Sequence, residues 1–129
     1  MIKNGINPIL NQYDYSEFCV KIGIDEGENV VVLYGQDKSS SIDILGYWIS
    51  ITSKITTITE ADQITVGKDV YFALDNALRN KFSEITSQVE DWKYTNRTTG
   101  NLYKLFAMSY LSVITSGLSP YSCLLSKLV

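Results

Sequence analysis

Ser41-Ile42-Asp43-Ile44-Leu45-Gly46-Tyr47-Trp48-Ile49-Ser50-Ile51-Thr52-Ser53-Lys54-Ile55 is the stretch on which the fold turns. Within it and just beyond, Ile44, Trp48, Ile51, Ile55 and Ile58 recur at spacings of 4, 3, 4 and 3. That recurrence is one apolar stripe of an amphipathic helix. Ile and Thr are poor intrinsic helix formers because their branched Cβ loses rotamer freedom against the preceding turn. Packing of the stripe must therefore hold this helix, and core is its simplest role.

Upstream, Phe18, Val20, Ile22 and Ile24 alternate with Cys19, Lys21 and Gly23, the period of a half-buried strand. Asp25-Glu26-Gly27-Glu28 has turn composition. Val30-Val31-Val32-Leu33-Tyr34 is β-branched and apolar, a second and more buried strand. The two are expected to pair as an antiparallel hairpin. A polar loop, 36–41, leads into the helix. Residues 2–12 carry a helical spacing that Gly5 and Pro8 interrupt.

Downstream, Ile64-Thr65-Val66 is a short strand. Gly67–Leu74 starts a helix with Asp69 near its positive end, and residues 75–81 continue it for a turn or two. Residues 82–85 and 89–94 read as extended. Thr98-Thr99-Gly100-Asn101 is a hairpin loop before a strand over 102–106. Residues 1–108 form one domain, and 109–129 are a Ser-, Leu- and Tyr-rich tail of a different character. The pattern as a whole predicts an α+β domain: a mostly antiparallel sheet with helices packed on one face.

Composition sets limits on function. At 129 residues there is room for a single domain. The net charge of −3 and the pI near 4.8, with no Lys/Arg cluster, argue against a nucleic-acid partner, which requires a basic patch. No apolar run approaches the ~18 residues of a membrane span, and Met1-Ile2-Lys3-Asn4-Gly5 leads into no signal-peptide core. A cytoplasmic protein with no membrane partner is expected. The chain has no histidine, which removes the commonest general base and every Ser-His or Cys-His nucleophile. Cys19 and Cys123 lack zinc-site spacing. Cys19 is expected to be a buried thiol.

Val20-Lys21-Ile22-Gly23-Ile24 with Gly27, a second apolar strand ending at Gly35, and Asp43 through Lys54 follow one another in a recurring order. Ala61-Asp62-Gln63-Ile64-Thr65-Val66 and a helix bearing Tyr71 come next. Over about residues 15–106 this order resembles the C-terminal half of a class III adenylate/guanylate cyclase domain. The central segment is similar to that family's D-x-x-G-x-x-[VI]-N-x-A-x-[RK] pattern. The resemblance implies part of a ferredoxin-like nucleotide cyclase fold and a head-to-tail dimer with composite sites. The reaction it implies is attack of the ATP ribose 3′-oxygen on the α-phosphorus, with pyrophosphate leaving. Two metal ions held by aspartates assist that step.

Position by position, the resemblance assigns Asp43 to reading the purine edge. A carboxylate there accepts a hydrogen bond from the adenine amino group, which favours ATP over GTP. Taken alone, Asp43 would serve equally as a helix N-cap. Ser50 stands where the family has asparagine, with a shorter reach and one donor. Lys54 stands where the family has arginine, keeping the charge and losing the planar fork. Lys93 is the nearest match to the phosphate-contacting lysine. For Lys54 and Lys93 the plain alternative is a solvated surface cation.

The F-x-D-I-x-G strand and the second metal aspartate do not occur in these 129 residues. The resemblance therefore implies no metal ligand in this chain, with Mg or Mn entering only if a partner supplies the carboxylates. The expectation is an adenylate cyclase-related domain, inactive by itself, that binds ATP at most and forms a homodimer or pairs with a cyclase-like domain. The alternative is a non-enzymatic dimerisation or regulatory module on the same scaffold. An F-x-D-I-x-G segment encoded upstream would instead make it the second half of an active enzyme.

Overall fold

The computed structural model describes residues 2–35, 41–96 and 98–109. A single π-helical turn, Ile2–Ile6, runs into α1 (Asn7–Gln12). β1 (Lys21–Ile24), β2 (Val30–Tyr34) and β3 (Ser41–Leu45) precede α2 (Tyr47–Ile58). β4 (Gln63–Gly67), α3 (Lys68–Ala73), α4 (Asn76–Arg79), β5 (Ser83–Glu84) and β6 (Leu105–Ser109) follow. β1, β4, β6 and β5 form one four-stranded sheet in that order. β1 runs parallel to β4, and the other two pairings are antiparallel. The molecule is thus α+β with a mostly antiparallel sheet, as the pattern predicts.

Two expectations are corrected, one about strand pairing and one about where the helices lie. β1 and β2 do not form a hairpin: β1 pairs with β4 through the α2 crossover, and β2 pairs with β3 in a separate two-stranded sheet. Gly23 supplies the physical reason. A Cβ there would lie 2.6 Å from the backbone nitrogen and 2.9 Å from the Cα of Thr56. The bare strand backbone lets α2 lie directly on β1, and the irregular segment 25–29 then leads the chain to β2. Helices also cover both faces. Leu105 and Phe106 are consecutive in β6 and so point to opposite sides. Leu105 joins Ile51 and Ile55 of α2, with Trp92 and Tyr103. Phe106 joins Val66 and Phe82, against Val70, Tyr71 and Leu74.

Boundaries shift as well. α2 begins at Tyr47, so Ile44 belongs to β3 and leaves the helical stripe. Its core is Ile51 and Ile55, both with 0% exposure. Hydroxyls reconcile its Thr-rich composition with a helix. Thr52, Thr56, Thr57 and Thr59 each donate to the carbonyl four residues back, at 2.6–2.9 Å. Residues 89–94 form no strand, and the last strand spans Leu105–Ser109 instead of 102–106. The loop over 98–101 is confirmed, with Gly100 at φ 69° and a Thr95–Leu102 bridge closing it. Cys19 is half-buried and precedes β1. Among the described residues no helix is long and apolar enough to cross a membrane. The tail beyond Ser109 and Cys123 lie outside the described residues.

Candidate functional site

β3 and α2 are joined through Gly46 alone, so Asp43, Ser50 and Lys54 fall on one continuous strand–helix run. Asp43 sits mid-strand opposite Val32, with its carboxylate accepting from the Ile44 amide at 2.8 Å. It does not cap α2. The residue before the helix is Gly46, in extended backbone with no side chain to cap. Ser50 and Lys54, four apart, share one exposed face of α2. The Ser50 hydroxyl makes a long 3.4 Å bond to the Gly46 carbonyl, a weak restraint. Lys93 is exposed on the irregular segment between Trp92 and Tyr94, away from any strand. All four candidates are solvent-facing.

A cleft of about 520 Å³ opens beside the same helix, between Asp25, Glu26, Gly27 and Asn29 on one side and Trp48 and Thr56 on the other. Gly27 shapes it, since a Cβ there would run into the Trp48 indole. Asp43, Ser50, Lys54 and Lys93 are not among its lining residues. Its chemistry is acidic. Thr52 and Thr56 have already given their hydroxyl hydrogens to α2 carbonyls, while Asp25 and Glu26 add negative charge. Such a wall repels phosphate.

Behind the cleft lies a cluster with no sequence signature. The Tyr103 hydroxyl donates to Asp25 Oδ1 at 2.8 Å and approaches Asp69 Oδ2 at 3.5 Å. Asp25 Oδ2 is buried with no hydrogen-bond partner. Burial raises the Asp25 pKa above the ordinary carboxylate range. The Tyr103 bond and the Glu26 amide, at 3.0 Å, act in the opposite direction, and the Asp69 charge adds to the rise. Tyr103 is pushed far up by burial and by the two carboxylates, so its phenol stays protonated and remains a donor. Gly67 makes room for Asp25: a Cβ there would come within 2.6 Å of the Asp25 Cγ. Residues 25, 67, 69 and 103 are brought together only by the tertiary fold.

Among the described residues no group of three or more His, Cys, Asp or Glu side chains is placed to hold a metal ion. The outer surface is more distinctive. β2 and β3 are five residues each and expose apolar side chains on both faces. Val31 and Leu33 are each 67% exposed and Ile42 is 72% exposed. No family model, curated protein or solved structure matches this chain.

Proposed function

We propose that the chain is an adenylate cyclase-related domain on part of a ferredoxin-like cyclase scaffold. It contributes the purine- and ribose-facing half of a composite nucleotide site, is inactive as a single chain, and works in the cytoplasm. The observation that carries this reading is the exposure of Asp43, Ser50 and Lys54 along one β3–α2 run with a single-residue joint. Nothing in the fold uses these side chains for packing, and they would become enclosed only against a second domain.

In this reading the Asp43 carboxylate accepts from the adenine amino group, an interaction that the guanine carbonyl would turn into repulsion. The Ser50 hydroxyl turns from its long bond to Gly46 toward the ribose. The Lys54 ammonium balances phosphate charge as a point charge. Metal carboxylates would come from the partner. Calorimetric titration with ATP and Mn²⁺, with GTP as comparison, tests the reading. Saturable binding that prefers ATP and weakens in Asp43→Ala and Lys54→Ala supports it. The absence of heat at millimolar ATP overturns it.

A second reading, a non-enzymatic dimerisation module on the same scaffold, is favoured by the β2–β3 hairpin. An isolated two-stranded ribbon is marginal in water, and unprotected apolar strands of this kind invite pairing with another chain.

A further inference from the structure

Register divides the β2–β3 ribbon into two unlike faces. Residues directly paired across an antiparallel ladder point the same way, and successive residues along a strand alternate. The pairs Val31–Ile44 and Leu33–Ile42 therefore share one face, and Val30–Leu45, Val32–Asp43 and Tyr34–Ser41 share the other. The first face holds four aliphatic side chains and no polar side chain. Exposure on it runs from 46% at Ile44 to 72% at Ile42. The second face carries Asp43, Ser41 and the Tyr34 phenol, and its Val32 is the one half-buried residue of the two strands.

We infer that the aliphatic face is a homodimer contact, in which the ribbons of two copies pack face to face about a two-fold axis as a small four-stranded sandwich. The inference rests on the dimerisation reading of the hairpin and gives that reading one face and one partner. Area is the first argument. Soluble monomers rarely leave a contiguous apolar patch above a few hundred Å². Two such faces closed on each other bury on the order of 1,000 Å², the threshold of a specific interface. A ribbon of two strands also lacks the second layer that a stable sheet packs on. Charge is the second argument. An isologous contact sets a surface against its own copy, and a face without charge tolerates that. The opposite face would bring two Asp43 carboxylates together. An anionic membrane is the poorer occupant, since neither strand contains Lys or Arg and the chain carries −3 overall. Pairing through Val31, Leu33, Ile42 and Ile44 leaves Asp43 in solvent. A second domain that enclosed Asp43 would then use a different surface from this one.

Val30 and Val31 form a matched pair for the test. They are adjacent and alike, 63% and 67% exposed, and lie on opposite faces. Sedimentation equilibrium of the full chain over a concentration series should show a monomer–dimer equilibrium. Val31→Lys should weaken it by more than about tenfold, and Val30→Lys should leave it within about twofold. Added lysine moves the acidic chain toward neutrality, so whole-molecule repulsion does not explain a loss. Equal weakening in the two variants would keep the dimer but move it to the strand edges, and would overturn the inference. A parent that stays monomeric at millimolar concentration, whether or not it co-sediments with anionic vesicles, would overturn the inference and the dimerisation reading together. If Val31→Lys does not fold, methyl shifts of the unaltered chain on dilution decide. Val31, Leu33, Ile42 and Ile44 should move while Val30 and Leu45 stay, and equal behaviour of the two sets refutes the assigned face. Neither readout involves ATP, so the nucleotide reading stands or falls separately.

Discussion

Tyr103 donates its phenolic hydrogen to Asp25 at 2.8 Å across 78 positions of sequence. The bond ties the irregular segment after β1 to the one that leads into β6. Its two partners are an acid whose pKa burial raises and a phenol that stays protonated. Tyr103→Phe removes the donor from a carboxylate whose other oxygen already lacks one. The expected cost is about 1–3 kcal/mol, at the lower end because Asp25 is only half-buried. Urea denaturation with both midpoint and slope measured checks it, and an unchanged midpoint would mean that water replaces Tyr103.

Asp25 also predicts a pH dependence with a definite sign. Its folded pKa lies above its unfolded value, so between the two the unfolded chain releases a proton that the folded chain keeps. Stability is then fully present below the ordinary carboxylate pKa and falls as pH rises toward the raised folded value. Asp25→Asn keeps an acceptor for Tyr103 and removes the titration. Melting curves across the acidic range should flatten in this variant relative to the parent.

Gly23→Ala should loosen α2 from the sheet. The added Cβ meets Thr56 backbone, which cannot swing aside as a side chain can. Overpacking of this kind costs about 1–3 kcal/mol. Thermal unfolding by circular dichroism would show a clear fall, and an unshifted midpoint would contradict the close β1–α2 approach.

Neighbouring residues of α2 should behave oppositely. Ile55→Ala opens a cavity at a fully buried position and is expected to cost about 2–5 kcal/mol. Lys54→Ala, on the exposed face, should stay within about 0.5 kcal/mol of the parent while weakening ATP binding. A Lys54→Ala variant that unfolds early would show that the side chain is structural.

The hairpin carries its own prediction. Leu33 and Ile42 are register partners on an exposed surface. Leu33→Lys/Ile42→Lys should leave the monomer folded and abolish self-association in sedimentation equilibrium. If the parent sediments as one protomer, or the variant remains associated, the hairpin is not a dimer surface.

Some of this was readable in one dimension. The stripe at Trp48, Ile51, Ile55 and Ile58 marked the helix and its buried face, because side-chain periodicity follows local geometry. Turn chemistry at 98–101 and the carboxylate at Asp69 were legible for the same reason. Ile44 misled at the helix start: in a strand its neighbour in register, Val31, replaces the helical neighbour four residues on. The exposed surroundings of Asp43, Ser50 and Lys54 were not legible, since a motif position says nothing of what covers it.

The sequence by itself determined the α+β class, the order of most elements and the apolar face of α2, all set by contacts within a few residues. Only the tertiary structure decided that β1 joins β4 and not β2, that helices flank both sides of the sheet, and that Asp25, Asp69 and Tyr103 meet. Those outcomes depend on which distant surfaces can approach. Gly23, Gly27 and Gly67 admit that approach simply by lacking a Cβ, a fact that means nothing until the opposing residue is in place.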